Sequence, residues 1–329
     1  MINGMLGVRR FFAMTVALLV LGAAGTAHAQ GEGPYPSKPI RFVVPFPGVV
    51  ENLARMIGDH ITSETGQSVL VEPRPGSNGI LGAQFVSKQP ADGYTILFTT
   101  NTTHSGNPAI YSKLPYDPVK DFAPVTGIIK GALLYVGSMN MGAANISEVV
   151  ALARKKPDEL VFGWAGSSGR AAIEMLNIAA GLKMRNVPYK SAPQALSDLV
   201  GGHIHLLVYG DIATGIQLGR SGKLRVLAVS TSERLESAPD VPTVREQGFP
   251  DFEMTFWAAT YAPAGTPAPI ITRLNGLIAA AMRTDRLRDM LRNSGLIANV
   301  TTPEGLAKFQ AAETDKWRRI VNAAGMQEN

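Results

Sequence analysis

IRFVVPFPGVVENLARMIGDHI, residues 40–61, decides the fold class of this chain. Ile40 to Val44 is a short apolar run that stops at Pro45, and from Leu53 the apolar residues Leu53, Met56, Ile57 and Ile61 recur at helical spacing. The stretch therefore reads strand, loop, helix. A second unit follows at once: Val69 to Val71, the loop 73–79 (PRPGSNG), and a helix from about Leu81 to Lys88. A third strand, Tyr94 to Phe98, ends in the polar loop 99–104 (TTNTTH).

Strands alternating with helices at this spacing predict a parallel, doubly wound α/β sheet, because parallel neighbours need a crossover. In such sheets ligands sit in the loops at the carboxyl ends of the strands. The middle of the chain repeats the theme. A strand at Leu133 to Val136, a helix near Ile146 to Lys155 and a strand at Leu160 to Phe162 lead into GWAGSSGRAAIEML, residues 163–176. Leu206 to Tyr209 and Leu224 to Val229 supply two further strands, and Phe256 to Tyr261 another, after which the pattern is helical to the end. The expected organisation is two domains joined by two crossings, near residues 132 and 255: residues 30–132 with 255–329, and residues 133–254.

Residues 1–29 read as an export signal, to be cleaved after Ala29. Arg9 and Arg10 form a basic start, Phe11 to Gly25 an apolar core too short to span a bilayer, and Ala27-His28-Ala29 a small-x-small cleavage site. With 329 residues, 45% of them hydrophobic, the chain has ample core. It contains no cysteine, which removes disulfides, thiol catalysis and cysteine metal sites together. The net charge of +5 includes the two signal arginines, and the remaining basic residues are scattered, which argues against a nucleic-acid partner. A mild positive bias suits anionic ligands.

The glycine–serine stretch at 163–176 has four readings. A serine hydrolase needs G-x-S-x-G on a strand-to-helix turn, and Gly166-Ser167-Ser168-Gly169 is one residue too short. A phosphate loop needs G-x-x-x-x-G-K-[ST], which is absent, and Gly76, Gly79 and Gly82 do not make G-x-G-x-x-G. That leaves a helix start rich in N–H groups and hydroxyls, suited to an anion, with Arg170 able to add a bidentate grip on a carboxylate. The plainer alternative is simple capping, with Ser168 as N-cap and Arg170 in solvent. His203 and His205 would share one face if 202–209 were a strand, but no third metal ligand can be named. Asp211 is either a helix cap or a polar group at the cleft rim. Trp164 and Phe46 are either core or a platform for a flat ligand.

Five separated stretches, YPSKPIRFVVPF (35–46), LPYDPVKDFAPV (114–125), VPYKSAPQALSDLVGG (187–202), SGKLRVLAV with PDVPTVREQGFPDF (221–229 and 239–252) and APAGTP (262–267), resemble the substrate-binding proteins of tripartite tricarboxylate transporters, the Bug or TctC family. The resemblance covers Tyr35 to Ala324. It implies a periplasmic, monomeric binding protein of the type II-like, two-domain class, without catalysis or cofactor, that closes by a hinge over a small carboxylate and delivers it to a membrane transporter. It also implies ligand contacts from the first loop, here Phe46, Pro47, Gly48, Val49 and Val50; from Ser77 and Asn78 in the second; from Asn101 and Thr102 in the third; and from Ser167, Ser168 and Asp211 in the second domain, to which the reading of the residues themselves adds Trp164 and Arg170.

Two departures stand out. The first loop lacks the family's usual glycine run and aspartate, carrying Glu51 instead, and Gly169-Arg170 replaces the frequent proline and histidine. A more apolar end and a more cationic end favour an aromatic carboxylate such as terephthalate over aliphatic acids. The rival functions are a subunit presenting the ligand to a periplasmic sensor kinase, or an extracytoplasmic hydrolase.

Overall fold

β1 (Ile40–Val44), α1 (Val49–Thr65), β2 (Val69–Pro73), α2 (Ile80–Ser87) and β3 (Thr95–Thr100) form the first βαβαβ run in a computed structural model of the chain, with β1 between β2 and β3 and parallel to both. The structure describes residues 35–156, 159–189 and 191–328; the expected export signal, residues 1–29, lies outside the described residues. From Lys38 onward the chain forms one compact unit. Ile40, Phe42, Val43 and Val44 are at most 1% exposed, as a strand covered on both faces requires. α1 turns Leu53, Ala54, Ile57 and Ile61 inward, the stripe its 3.6-residue repeat dictates.

After α3 (Asn107–Ile110) the chain crosses through β4 (Phe122–Ala132) into β5 (Leu134–Gly137), and after α4 (Ile146–Lys155) it repeats the first arrangement. β6 (Val161–Trp164), α5 (Ser167–Ala180), β7 (Arg185–Pro188), α6 (Ala192–Val200) and β8 (Leu206–Tyr209) place β6 between β7 and β8, parallel to both. α7 (Ile212–Arg220) and β9 (Arg225–Val229) follow, and β10 (Thr255–Pro263) returns to the first sheet before α8 (Ala268–Met282), α9 (Asp285–Asn293), β11 (Leu296–Ala298) and α10 (Pro303–Ala324). The sheets have the orders β11-β4-β10-β3-β1-β2 and β7-β6-β8-β5-β9.

The sheets are mixed where sequence spacing predicts parallel ones. β10 is antiparallel to β3 and β4, β11 to β4, and β5 to β8 and β9. The cause is the double crossing: β4 leaves the first sheet and β10 re-enters it in the opposite sense beside it. β4, β7, α6 and β11 are further elements that the strand and helix reading did not include. The strand β8 runs from Leu206 to Tyr209, as expected, and does not extend back to 202, so the condition for His203 and His205 to share its face is not met. Among the described residues no three His, Cys, Asp or Glu side chains group as metal ligands, and no helix is long and apolar enough to cross a membrane.

Ser230, fully buried, ties the two crossings together. Its hydroxyl accepts from the Leu133 N–H at 2.8 Å and donates to the Met254 carbonyl, while its own N–H donates to the Leu133 carbonyl at 2.9 Å and its carbonyl accepts from the Met254 N–H at 3.0 Å. A third link is made by α10, whose Trp317, Ile320 and Val321 are buried in the same cluster as Ala171, Ile173 and Leu176 of α5. Ser230→Ala leaves a buried N–H and carbonyl without partners at the crossing, so urea unfolding is expected to give a variant about 1–3 kcal/mol less stable than the wild type. An unchanged midpoint would show that the hydroxyl does not hold the crossings.

Candidate functional site

β1 and β6 are the strands at which chain winding reverses, since each has its two sequence successors on opposite sides. Crevices at the carboxyl end of such a strand are where open α/β sheets bind ligands. The helices that start there begin on glycines with positive φ. The N-cap of α1, after β1, is Gly48 (φ 91°), and that of α5, after β6, is Gly166 (φ 85°), neither with a side-chain cap; α2, which follows β2, starts on the left-handed Gly79 (φ 79°), with the Ile80 N–H already donating to the Ser77 carbonyl. By contrast α4, α7 and α10 are capped by Asn145, Asp211 and Thr302, whose side-chain oxygens accept first-turn N–H bonds. First-turn N–H groups without intrahelical acceptors, at the positive end of a helix dipole, make a site for an anion.

The capping reading of the 163–176 stretch is corrected here: α5 starts at Ser167, so Ser168 lies inside its first turn and caps nothing. The Ser168 hydroxyl instead accepts from Asn101 Nδ2 at 3.3 Å, a bond from the end of β3 to the second sheet's side. The turn Thr102–Gly106 packs against α5 beside it. Asn101 Oδ1, Ser167 Oγ and Arg170 Nε are buried and have no hydrogen-bond partner. Three orphaned polar atoms at one seam mark a place where something polar belongs.

Arg170 is held on its other sides. Its guanidinium carbon lies 5.2 Å from the centre of the Trp164 ring, and its Nη1 lies 4.0 Å from Glu328 Oε1. Trp164 is half-buried and donates its indole N–H to Asn186 Oδ1 at 3.2 Å.

The first loop divides its expected residues. Pro47 and Gly48 are exposed, Phe46 and Val49 half-buried, but Val50 is 4% exposed and points into the core, so only its backbone N–H faces the helix start. The Phe46 ring lies on Gly79, where an added β-carbon would sit 2.6 Å from its Cζ; it closes the first loop onto the second. Glu51 does not oppose an anion directly, because Arg55, one turn on, pairs with it at 2.6 Å. In the second loop Ser77 (φ 47°) and Asn78 (φ 52°) both hold left-handed backbone, strain of the kind that collects at functional loops. Asn78 Nδ2 donates to the Tyr111 hydroxyl at 2.8 Å, and its carbonyl accepts from Asn107 Nδ2 at 3.0 Å. Asp211 sits apart from this set in its bonding: its two oxygens accept from Thr214 N at 3.1 Å and Thr214 Oγ1 at 2.7 Å, the helix-cap alternative.

Thr102 is half-buried, and the turn it opens is anchored from beneath by residues the sequence reading did not assign. Tyr116 donates to the Thr103 carbonyl at 2.8 Å, and Thr314 and Gln310 of α10 donate to the His104 carbonyl at 3.2 and 3.4 Å. His104 is fully buried, stacked on Tyr261 at 3.8 Å, with Nδ1 2.9 Å from Thr103 Oγ1. Burial alone lowers its pKa from 6.5 to about 3.

Residues 53–326 match the family described as the tripartite tricarboxylate transporter family receptor, TctC. The chain belongs to that family. The match begins just past the first loop, where the chain departs from the family pattern. Protein BugT of Bordetella pertussis is 30% identical over 321 residues, covering 95% of this chain and 98% of its own. Among solved structures, an R. palustris protein with adipate superposes with a TM-score of 0.79 at 32% identity, covering 89% of this chain and 99% of that one. MatC from Rhodopseudomonas palustris with bound malate gives 0.75 at 29% identity, covering 87% and 100%. The family and these members are solute-binding receptors and not enzymes, so TctC-type membership removes the hydrolase alternative.

His104 sets an acid limit on the TctC-type fold. Between about pH 3 and pH 6.5 the unfolded chain holds a proton at this imidazole that the folded chain refuses, so stability falls as pH drops through that window. Relative to His104→Phe, which keeps a stacking ring, the wild type is expected to lose about 2–3 kcal/mol between neutrality and about pH 4.5 in urea titrations. A wild-type to variant difference flat in pH would contradict a buried neutral imidazole.

Proposed function

We propose that the chain is a periplasmic receptor that holds a small carboxylate between the glycine-started helix α5 on one side and α1 and α2 on the other, and delivers it to a transporter of the tripartite type. The observation that carries this reading is the convergence of unfilled polar groups. Uncapped N–H groups stand at both switch points, with the partnerless Asn101 Oδ1, Ser167 Oγ and Arg170 Nε beside them. Donors outnumber acceptors in this set. A carboxylate supplies four lone-pair sites and the negative charge that helix N-termini and a guanidinium favour. The relatives solved with adipate and with malate carry ligands of that chemistry.

Closure follows from the double crossing. The bodies that move are residues 30–132 with 255–329 against 133–254, pivoting at the Leu133–Ser230–Met254 node, with a hinge of this kind holding and then releasing its ligand. Phe46, Val49 and Trp164, all half-buried at the seam, favour an apolar ligand middle, and an aromatic carboxylate such as terephthalate is the preferred candidate over aliphatic acids. The receptor acts as a monomer, and the segment before residue 30 serves as its export signal.

A thermal-shift panel of aliphatic and aromatic mono- and dicarboxylates identifies the ligand, because a ligand bound only by the folded state raises the midpoint. Calorimetry with the best acid then tests the grip. Arg170→Ala is expected to weaken binding by about 1.5 to 3 kcal/mol, roughly one to two orders of magnitude in Kd, as loss of a charged hydrogen bond requires. Unchanged affinity would return Arg170 to a structural role.

A further inference from the structure

We propose that Glu328 is a resident carboxylate of the binding site: it stands beside Arg170 in the ligand-free protein and sets how tightly, and with what charge preference, an acid binds. The proposal rests on the reading of Arg170 as the carboxylate grip. Glu328 is fixed by its backbone. Its N–H donates to the Ile110 carbonyl at 2.8 Å, its carbonyl accepts from the Ser112 N–H at 3.1 Å, and it forms a parallel bridge with Tyr111. Tyr111 in turn accepts from Asn78 of the second loop. The ladder that carries Glu328 is therefore part of the same loop cluster as the candidate site, on the first sheet's side.

Its side chain reaches across to α5. Glu328 Oε1 is 4.0 Å from Arg170 Nη1, too far for a hydrogen bond, and half of the glutamate side chain is exposed, against a fifth of the arginine. An ion pair of this kind contributes little and is readily exchanged. Meanwhile Nε of the same guanidinium is buried and without a hydrogen-bond partner. The edge that carries Nε, with its parallel N–H groups, is the one a carboxylate grips in bidentate fashion. An incoming acid thus takes that edge under the negative charge of Glu328 close by. Like charges repel over this range, and the repulsion counts twice for a dianion.

Removing that charge should strengthen binding. The backbone ladder does not involve the side chain, so Glu328→Gln leaves the fold intact, which an unchanged melting curve checks. Terephthalate against benzoate, and adipate against hexanoate, are matched dianion and monoanion probes for calorimetry at low and high salt. Glu328→Gln is expected to bind the acids about twofold to tenfold tighter than the wild type at low salt. The gain should be larger for the dianion of each pair, smaller at high salt, and reduced in an Arg170→Ala background. If Arg170→Ala weakens binding while Glu328→Gln leaves it unchanged or weaker, the role of Glu328 is overturned and the Arg170 grip stands. If Arg170→Ala changes nothing, or none of the four acids binds the wild type, both are overturned.

Discussion

The proposed binding of an acid depends on helix N-termini that start on glycine, without side-chain caps, at the two strands where winding reverses. An ordinary helix start satisfies its first N–H groups with a Ser, Thr, Asp or Asn side chain, as Asn145, Asp211 and Thr302 do for α4, α7 and α10. Gly48, Gly79 and Gly166 offer no such side chain, and their positive φ values are conformations that other residues adopt only with strain. In the proposed complex the bound acid satisfies the open donors at α1 and α5. Arg170 Nε and Ser167 Oγ add to the same demand for an acceptor, whereas Asn101 Oδ1 calls for a donor.

The rest of the architecture sets the start of α5 against the third loop of the first sheet, through Asn101 and the turn Thr102–Gly106. Two sheets with the same local order, a central strand between its two parallel successors, put corresponding helix starts at corresponding edges. The mixed strand directions record how the sheets are joined, through β4 outward and β10 back, with Ser230 bonded to both crossings. The π-helical turn Thr102–Gly106 carries the third loop to the seam, and α10 holds it from below while also packing on α5.

Much of this was legible in the sequence, because periodicity and glycine placement are local signals. The helix expected over 146–155 and the strand over 206–209 match Ile146–Lys155 and Leu206–Tyr209. β4 was not legible. Its sequence FAPVTGIIKGA contains Pro124, Gly127 and Gly131, and the glycines are demanded by partners distant in sequence: a β-carbon on Gly131 would strike the Phe256 ring, and one on Gly127 the Asn299 carbonyl. Of the two readings left open for the start of α5, the one with Ser168 as its cap fails, because Gly166 sets the boundary. Val50 was expected to line the site, yet helical spacing from Leu53, Ala54 and Ile57 places it on the buried stripe. Glu328 carried no signal at all, since only its pairing with Ile110 to Ser112 brings it to Arg170.

Amide hydrogen exchange on the protein, with and without a saturating carboxylate, tests the central claim most directly. The first-turn amides of α1, α2 and α5, residues 48–51, 79–82 and 166–169, are predicted to gain protection together, while those of the side-chain-capped α4 and α7 stay as they were. Protection that rises elsewhere and leaves these three helix starts unchanged would contradict the account.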